Sequence, residues 1–499
     1  MRRSSISLIA VSLLALPASS VAATPIPSAA PTSLTPFQGA PATPRPITGV
    51  EQPPRHPFMA RNGRSNIHND AWQTDAYRWS GPLGRSPRVF SNAIGRTCSS
   101  FAFDRRGRMV AVCVGAAGPR LYMFNPRTLD VLAEFELPPR PPTPPGANLF
   151  QDFTGGGYFY LDQRDRIVTA TTNRHIFVIA QRAGAPGFRL VRDYDLNGRL
   201  GPDDKVNSAL PDWKGRLWFV TRTGKVGTVD RRSGKVHVRR LRGEGIQNSF
   251  AVDETDGVYV ASNRALYRFE ATRRGAPRVT WRVRYRNIGR KKPGQADDGT
   301  GTTPTLTPDG YVAITDNADP MNVVVYRRAE RLGRDRRGRR LRRLVCEEPV
   351  FEKGASATEN SLISAGRALL VENNYGYDNP ESVAGTKVTA PGFARVDVNR
   401  NGRGCRTVWT NRTERAPSVV PKLSLRNGLI YTYTRDPDPS GAQPWFFTTL
   451  DFRTGRTVWK RLSGTGTGYN NNYPAITLGP NGTAYLGTLG GVVALRDGG

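Results

Sequence analysis

One unit recurs eight times along this chain of 499 residues: a short strand, a turn built on Asp or Asn with Gly, and an apolar, β-branched strand. The turns are Asp104-Arg-Arg-Gly107, Asp162-Gln-Arg-Asp165, Asp212-Trp-Lys-Gly215, Asp253-Glu-Thr-Asp-Gly257, Pro308-Asp-Gly310, Ser364-Ala-Gly366, Arg426-Asn-Gly428 and Gly479-Pro-Asn-Gly482. Two further strands follow in most copies, and the period is roughly 40 to 58 residues. A four-stranded unit of that length cannot bury both faces alone and reads as the blade of a β-propeller. The spacing therefore predicts an all-β chain with a single eight-bladed propeller over residues 61–499, seven blades being the fallback. The last unit has only three strands before Gly499, so Arg88-Val89-Phe90-Ser91 is expected to add the fourth and close the ring, leaving no open edge.

Composition fits that reading. Eight Trp, 17 Tyr and 20 Phe can fill a large core, which excludes a disordered chain. No series of apolar runs of about 20 residues is present, so the chain is not expected to span a membrane. The balance of 72 Lys+Arg against 41 Asp+Glu gives +31, yet only 10 of the basic residues are Lys. Arginine on solvated strand positions accounts for such a skew, and no zinc-finger spacing or basic helix accompanies it, so no specific nucleic-acid partner is expected. Arg327 to Arg343 holds ten arginines and reads as a solvated loop, with an anionic cell-envelope polymer as the alternative partner.

Arg2 and Arg3, the apolar stretch Ile6 to Leu16 and the small residues up to Ala23 read as a signal peptide over 1–23, implying a secreted, cell-envelope or periplasmic protein. Residues 24–60 are rich in Pro, Ala and Thr and read as an extended tether. Four cysteines suit an oxidising compartment. Cys98 and Cys113 flank a hairpin-like segment, and Cys346 and Cys405 occupy similar places in consecutive repeats; of three connectivities, 98–113 and 346–405 are expected.

A second signature lies between outer strands, clearest in Thr449-Leu-Asp451-Phe-Arg-Thr-Gly455-Arg-Thr-Val-Trp459, with weaker copies at Val229 to Lys235 and Val396 to Trp409. Here the chain resembles the quinoprotein-dehydrogenase-like (PQQ-like) propeller repeat over about 400 residues, and the resemblance implies that the Asp-x-x-x-Gly turn and the following Trp dock neighbouring blades. Pyrroloquinoline quinone enzymes of this fold stack the cofactor on a ring formed by adjacent cysteines above a Trp floor. No two cysteines here are adjacent, so PQQ is not expected.

Three units open with the same pair: Val206-Asn207-Ser208, Gln247-Asn248-Ser249 and Glu359-Asn360-Ser361. Superposed blades would bring Asn207, Asn248 and Asn360 to one axis beside Glu359, an oxygen donor set that suits calcium. That arrangement looks like the calcium centre of gluconolactonase- and paraoxonase-like propellers; the alternative is that Asn-Ser caps each inner strand. The histidines His56, His68, His175 and His237 stand in no nucleophile motif, so no hydrolytic triad is expected; His68 and His175 are the two that could reach the channel. Four loops carry aromatic, amide and acidic clusters: Asp152 to Tyr158, Asp316-Asn317, Asn373-Asn374-Tyr375, and Tyr469 to Tyr473 including Asn471. Starts of first strands and ends of second strands share a face in this topology. The four clusters are therefore expected to form a surface for a polar ligand such as a sugar or peptide. The sequence thus reads as an exported binding or scaffold propeller without a cofactor, the alternative being a calcium-dependent, lactonase-type hydrolase at the channel.

Overall fold

The computed structural model describes residues 20–115, 118–142, 148–152, 154–335 and 337–498. Most of the expected signal peptide, 1–23, lies outside them. The repeats fold as eight antiparallel sheets, blades 1 to 8, spanning 97–136, 159–195, 206–240, 251–284, 305–349, 363–411, 422–465 and 477–496. Arg88–Asn92 takes the outermost place in blade 8, pairing antiparallel with the last strand from Val492 to Arg496. Second strands are buried along their whole length, as in Leu217–Thr221 and Ala368–Glu372, because both faces of a blade meet neighbours. Fourth strands such as Phe188–Asp195 are largely exposed and carry many of the arginines.

The repeated turn has a direct electrostatic cause. One carboxylate oxygen of Asp104, Asp162, Asp212 and Asp253 accepts two turn amides each, from the second and fourth residues after it. The docking signature also has a physical basis. Trp409 of blade 6 donates its indole N–H to Phe452 O in blade 7 at 3.0 Å and lies flat against Gly455. A Cβ on Gly455, which has φ +71°, would stand 2.4 Å from the indole. Both cysteine pairs sit at bonding distance: 98–113 face each other in register within blade 1, and 346–405 tie the outer strands of blades 5 and 6.

Segment 24–60, expected to stand clear as a tether, lies along the ring as a strap. Phe37–Gly39 adds a strand to the outer edge of blade 7, and Ile26 and Ala42 are buried. His56 packs edge-on to Trp213 at 4.0 Å between ring centres, and burial pulls its pKa down to about 3. A proline-rich chain builds no core of its own, but its extended backbone can still pair with an exposed blade edge.

Residues 59–77 then fill the channel as a plug. Carbonyls of Ser65, Ala71, Trp72, Thr74 and Asp75 accept backbone N–H groups from the inner strands of blades 2, 4, 5, 6 and 7, and Ala76–Tyr77 pairs in parallel with Lys422–Ser424. The Arg-rich segment is engaged at its ends, while most described residues from 329 to 342 are exposed. Arg328 is salt-bridged to Asp253 and Glu254 over the Trp72 ring, and Arg343 covers Trp281.

Candidate functional site

On the face where inner strands begin, the plug forms the floor of a cavity of about 700 Å³. Ile67 and His68 line it from below, and Tyr158, Glu359 to Ser361, Val420 and Tyr473 line it from the lead-ins of blades 2, 6, 7 and 8. The described parts of the segment between blades 1 and 2, 137–142 and 148–152, bring Pro139, Arg140, Leu149, Phe150 and Asp152 into the wall. Hydrogen bonds hold them there: Arg140 donates to the carbonyls of Asp152 and Thr154, and Asn472 donates to Phe150 O at 3.3 Å. Leu149 and Phe150 are 51% and 40% exposed and, with Pro139, Pro141 and Pro142, make this side of the mouth apolar.

Charge in the cavity is unevenly placed. Burial disfavours an ionised Asp152, but bonds from Lys205 and Thr154 and the Arg140 charge outweigh it and hold its pKa down to about 2. Glu359 behaves oppositely. Burial, reinforced by the nearby Asp297, pushes its carboxyl up to about 8 despite bonds from Asn248 and the Ala296 amide, so its ionisation is disfavoured.

Deeper in the floor a chain of buried side chains runs from the plug into blades 6 and 7. His68 Nδ1 lies 3.1 and 3.0 Å from the two carboxylate oxygens of Asp75, and its Nε2 lies 3.3 Å from Ser361 Oγ. Lys422 Nζ donates to the same carboxylate and to Ile67 O, anchoring the acid. Asp75 and Lys422 are fully buried, while His68 and Ser361 retain 2% and 5% exposure and both border the cavity. His175, the other channel candidate, instead pairs with Asp193 on the outer strand of blade 2.

The expected donor set for calcium is only partly assembled. Asn248 and Glu359 share a hydrogen bond, and Tyr158 donates its phenol O–H to Asn248 Oδ1. Asn207 donates to the carbonyls of Ile246 and Gln247, and Asn360 donates to Glu372, Asn374 and Val419 O. Asn207 thus braces the lead-in of the next blade, and Asn360 ties blade 6 to the lead-in of blade 7. Among the described residues no group of three or more His, Cys, Asp or Glu side chains is placed to hold a metal.

Of the expected ligand face, Asp152, Tyr158 and Tyr473 line the cavity. The others serve the loops themselves. Asp316 caps Asn322 and Ala318, Asn317 donates to three oxygens around 287–298, and Asn373 and Asn374 hold the chain before blade 6. Asn471 bonds Pro474 O, Tyr469 donates to Ile26 O in the strap, and Tyr375 is half-buried outside the cavity lining. Lead-ins between blades lack ladder partners, and short amides supply them.

No protein-family model matches the chain. An uncharacterized protein of Archaeoglobus fulgidus is 30% identical over 313 residues, covering 57% of this chain and 59% of that protein's length. Among solved structures, quinohemoprotein alcohol dehydrogenase from Comamonas testosteroni superposes with a TM-score of 0.51 at 10% identity, over 88% of this chain and 80% of that one. Virginiamycin B lyase from Staphylococcus aureus gives 0.40 at 13% identity, over 71% and 96%. The chain is a β-propeller, and the likeness to the dehydrogenase is one of fold.

Proposed function

We propose that this is a ligand-binding propeller whose site is the ring-face cavity over the plug, taking an amphipathic small molecule with an apolar body and a polar end. The observation that carries the reading is the cavity itself. Its volume of about 700 Å³ falls within the range of small-molecule sites, roughly 300–1,000 Å³. Leu149, Phe150 and Tyr473 offer apolar area to the ligand body. Asp152 and Glu359 offer hydrogen bonds to its polar end. Export fits the same picture through the charged and apolar N-terminal sequence and the two disulfides, which suit an oxidising compartment.

The test is a thermal-shift panel of mono- and disaccharides, short peptides and aryl carboxylates on the wild type and on Leu489→Trp, which places an indole in the cavity wall. A ligand at 100 times its Kd adds about 2.7 kcal/mol to the folded state. The expected result is a shift in the wild type that Leu489→Trp loses. No shift with any class, or a shift that the variant retains, contradicts the proposal.

A further inference from the structure

The floor of the cavity places a hydroxyl, an imidazole and a carboxylate in series, and we infer that Ser361, His68 and Asp75 form a nucleophilic triad that hydrolyses a carboxylic ester bound in the cavity. The inference rests on the cavity being a ligand site. Its geometry is that of acyl transfer: one imidazole nitrogen on the acid, the other on the hydroxyl, with the hydroxyl bordering open space.

In the first step Ser361 Oγ attacks the ester carbonyl while His68 Nε2 takes the hydroxyl proton. Collapse breaks the bond to the alcohol oxygen, which leaves with that proton and gives an acyl-Ser361. Water then attacks the acyl carbon, His68 again relaying the proton, and the acid departs as Ser361 is restored. Asp75 accepts from Nδ1–H and fixes the tautomer in which Nε2 can act as base. Lys422 holds Asp75 in place and is a positioning residue.

The chain contains its own control. Blades 3 and 4 carry the same Asn-Ser pair, but there Ser208 Oγ meets Ser249 Oγ at 2.7 Å rather than an imidazole. Only in blade 6 does the plug bring a histidine to the serine. A purely structural latch would need the His68–Asp75–Lys422 contacts but no activated hydroxyl on the cavity.

The experiment treats the full chain with a fluorophosphonate probe, maps the adduct by peptide mass, and measures p-nitrophenyl butyrate hydrolysis. The expected adduct is on Ser361 and not on Ser208 or Ser249. It should be lost in Ser361→Ala and in His68→Gln, with hydrolysis falling at least 100-fold in each and remaining unchanged in Ser208→Ala. Circular dichroism identifies a His68 variant that fails to fold, and Ser361→Ala, which removes one oxygen, then decides alone. An unlabelled Ser361 in protein whose panel ligand still binds overturns the triad and leaves the binding reading standing. An unlabelled Ser361 with no ligand binding overturns both.

Discussion

Glu372 is buried in the second strand of blade 6, where its Oε1 accepts from the amides of Asn360 and Asn374 and burial raises its pKa from the usual 4.5 to about 8. Its Oε2 has no hydrogen-bond partner among the described residues, so an ionised carboxylate would be left uncompensated on that side. Because the folded value lies above the unfolded one, the native state holds a proton that the unfolded chain releases. The resulting stability is complete below pH 4.5, declines as pH rises toward 8, and is constant above that. At 1.36 kcal/mol per pH unit, the interval amounts to about 5 kcal/mol. Glu372→Gln keeps the shape and the Oε1 acceptor and does not titrate. Urea denaturation midpoints from pH 4 to 9 should therefore show the variant within about 1 kcal/mol of wild type at the acid end. Near pH 8 it should be more stable on the order of 5 kcal/mol. Glu359 and Asp70, whose carboxyls are also raised, titrate in both proteins and cancel in the difference. A wild-type-to-variant difference independent of pH would refute the buried, neutral Glu372.

Gly455→Ala should cost about 2–4 kcal/mol, from the left-handed backbone and the clash with Trp409, read as a lowered denaturation midpoint. Peptide mass mapping without reduction should find 98–113 and 346–405, and replacing both Cys346 and Cys405 with Ala should lose roughly 4 kcal/mol for a loop of 59 residues. Ile26→Ala, a change in the strap, should cost about 2–4 kcal/mol, whereas a free tether would tolerate it without effect.

The eight blades were legible because their signals are local: a Gly-containing turn, in four blades built on a carboxylate two and four residues before the amides it binds, followed by a buried second strand. The docking Trp followed from the resemblance to the PQQ-like repeat, the 98–113 pair from its hairpin and the 346–405 pair from similar places in consecutive repeats. The site was much less legible. His68 and Asp75 are seven residues apart in the plug, and Ser361 lies 293 residues beyond His68, so no spacing links them. The Asn-Ser pairs did mark blade 6, but their identical appearance in blades 3 and 4 concealed that only one serine meets an imidazole. Amide-rich loops suggested a ligand surface, yet Asn317, Asn373 and Asn471 spend their hydrogen bonds on neighbouring backbone. The strap was misread because proline content reports how a chain extends, not what its backbone pairs with.

The most direct measurement is a crystal structure of the full chain soaked with the ligand that gives the largest thermal shift. Density is expected in the cavity between Phe150, Tyr158 and Tyr473, with the polar end of the ligand at Glu359 or Ser361. A ligand seated elsewhere on the ring, with the cavity left to solvent, would contradict the assignment of the ring-face cavity as the site.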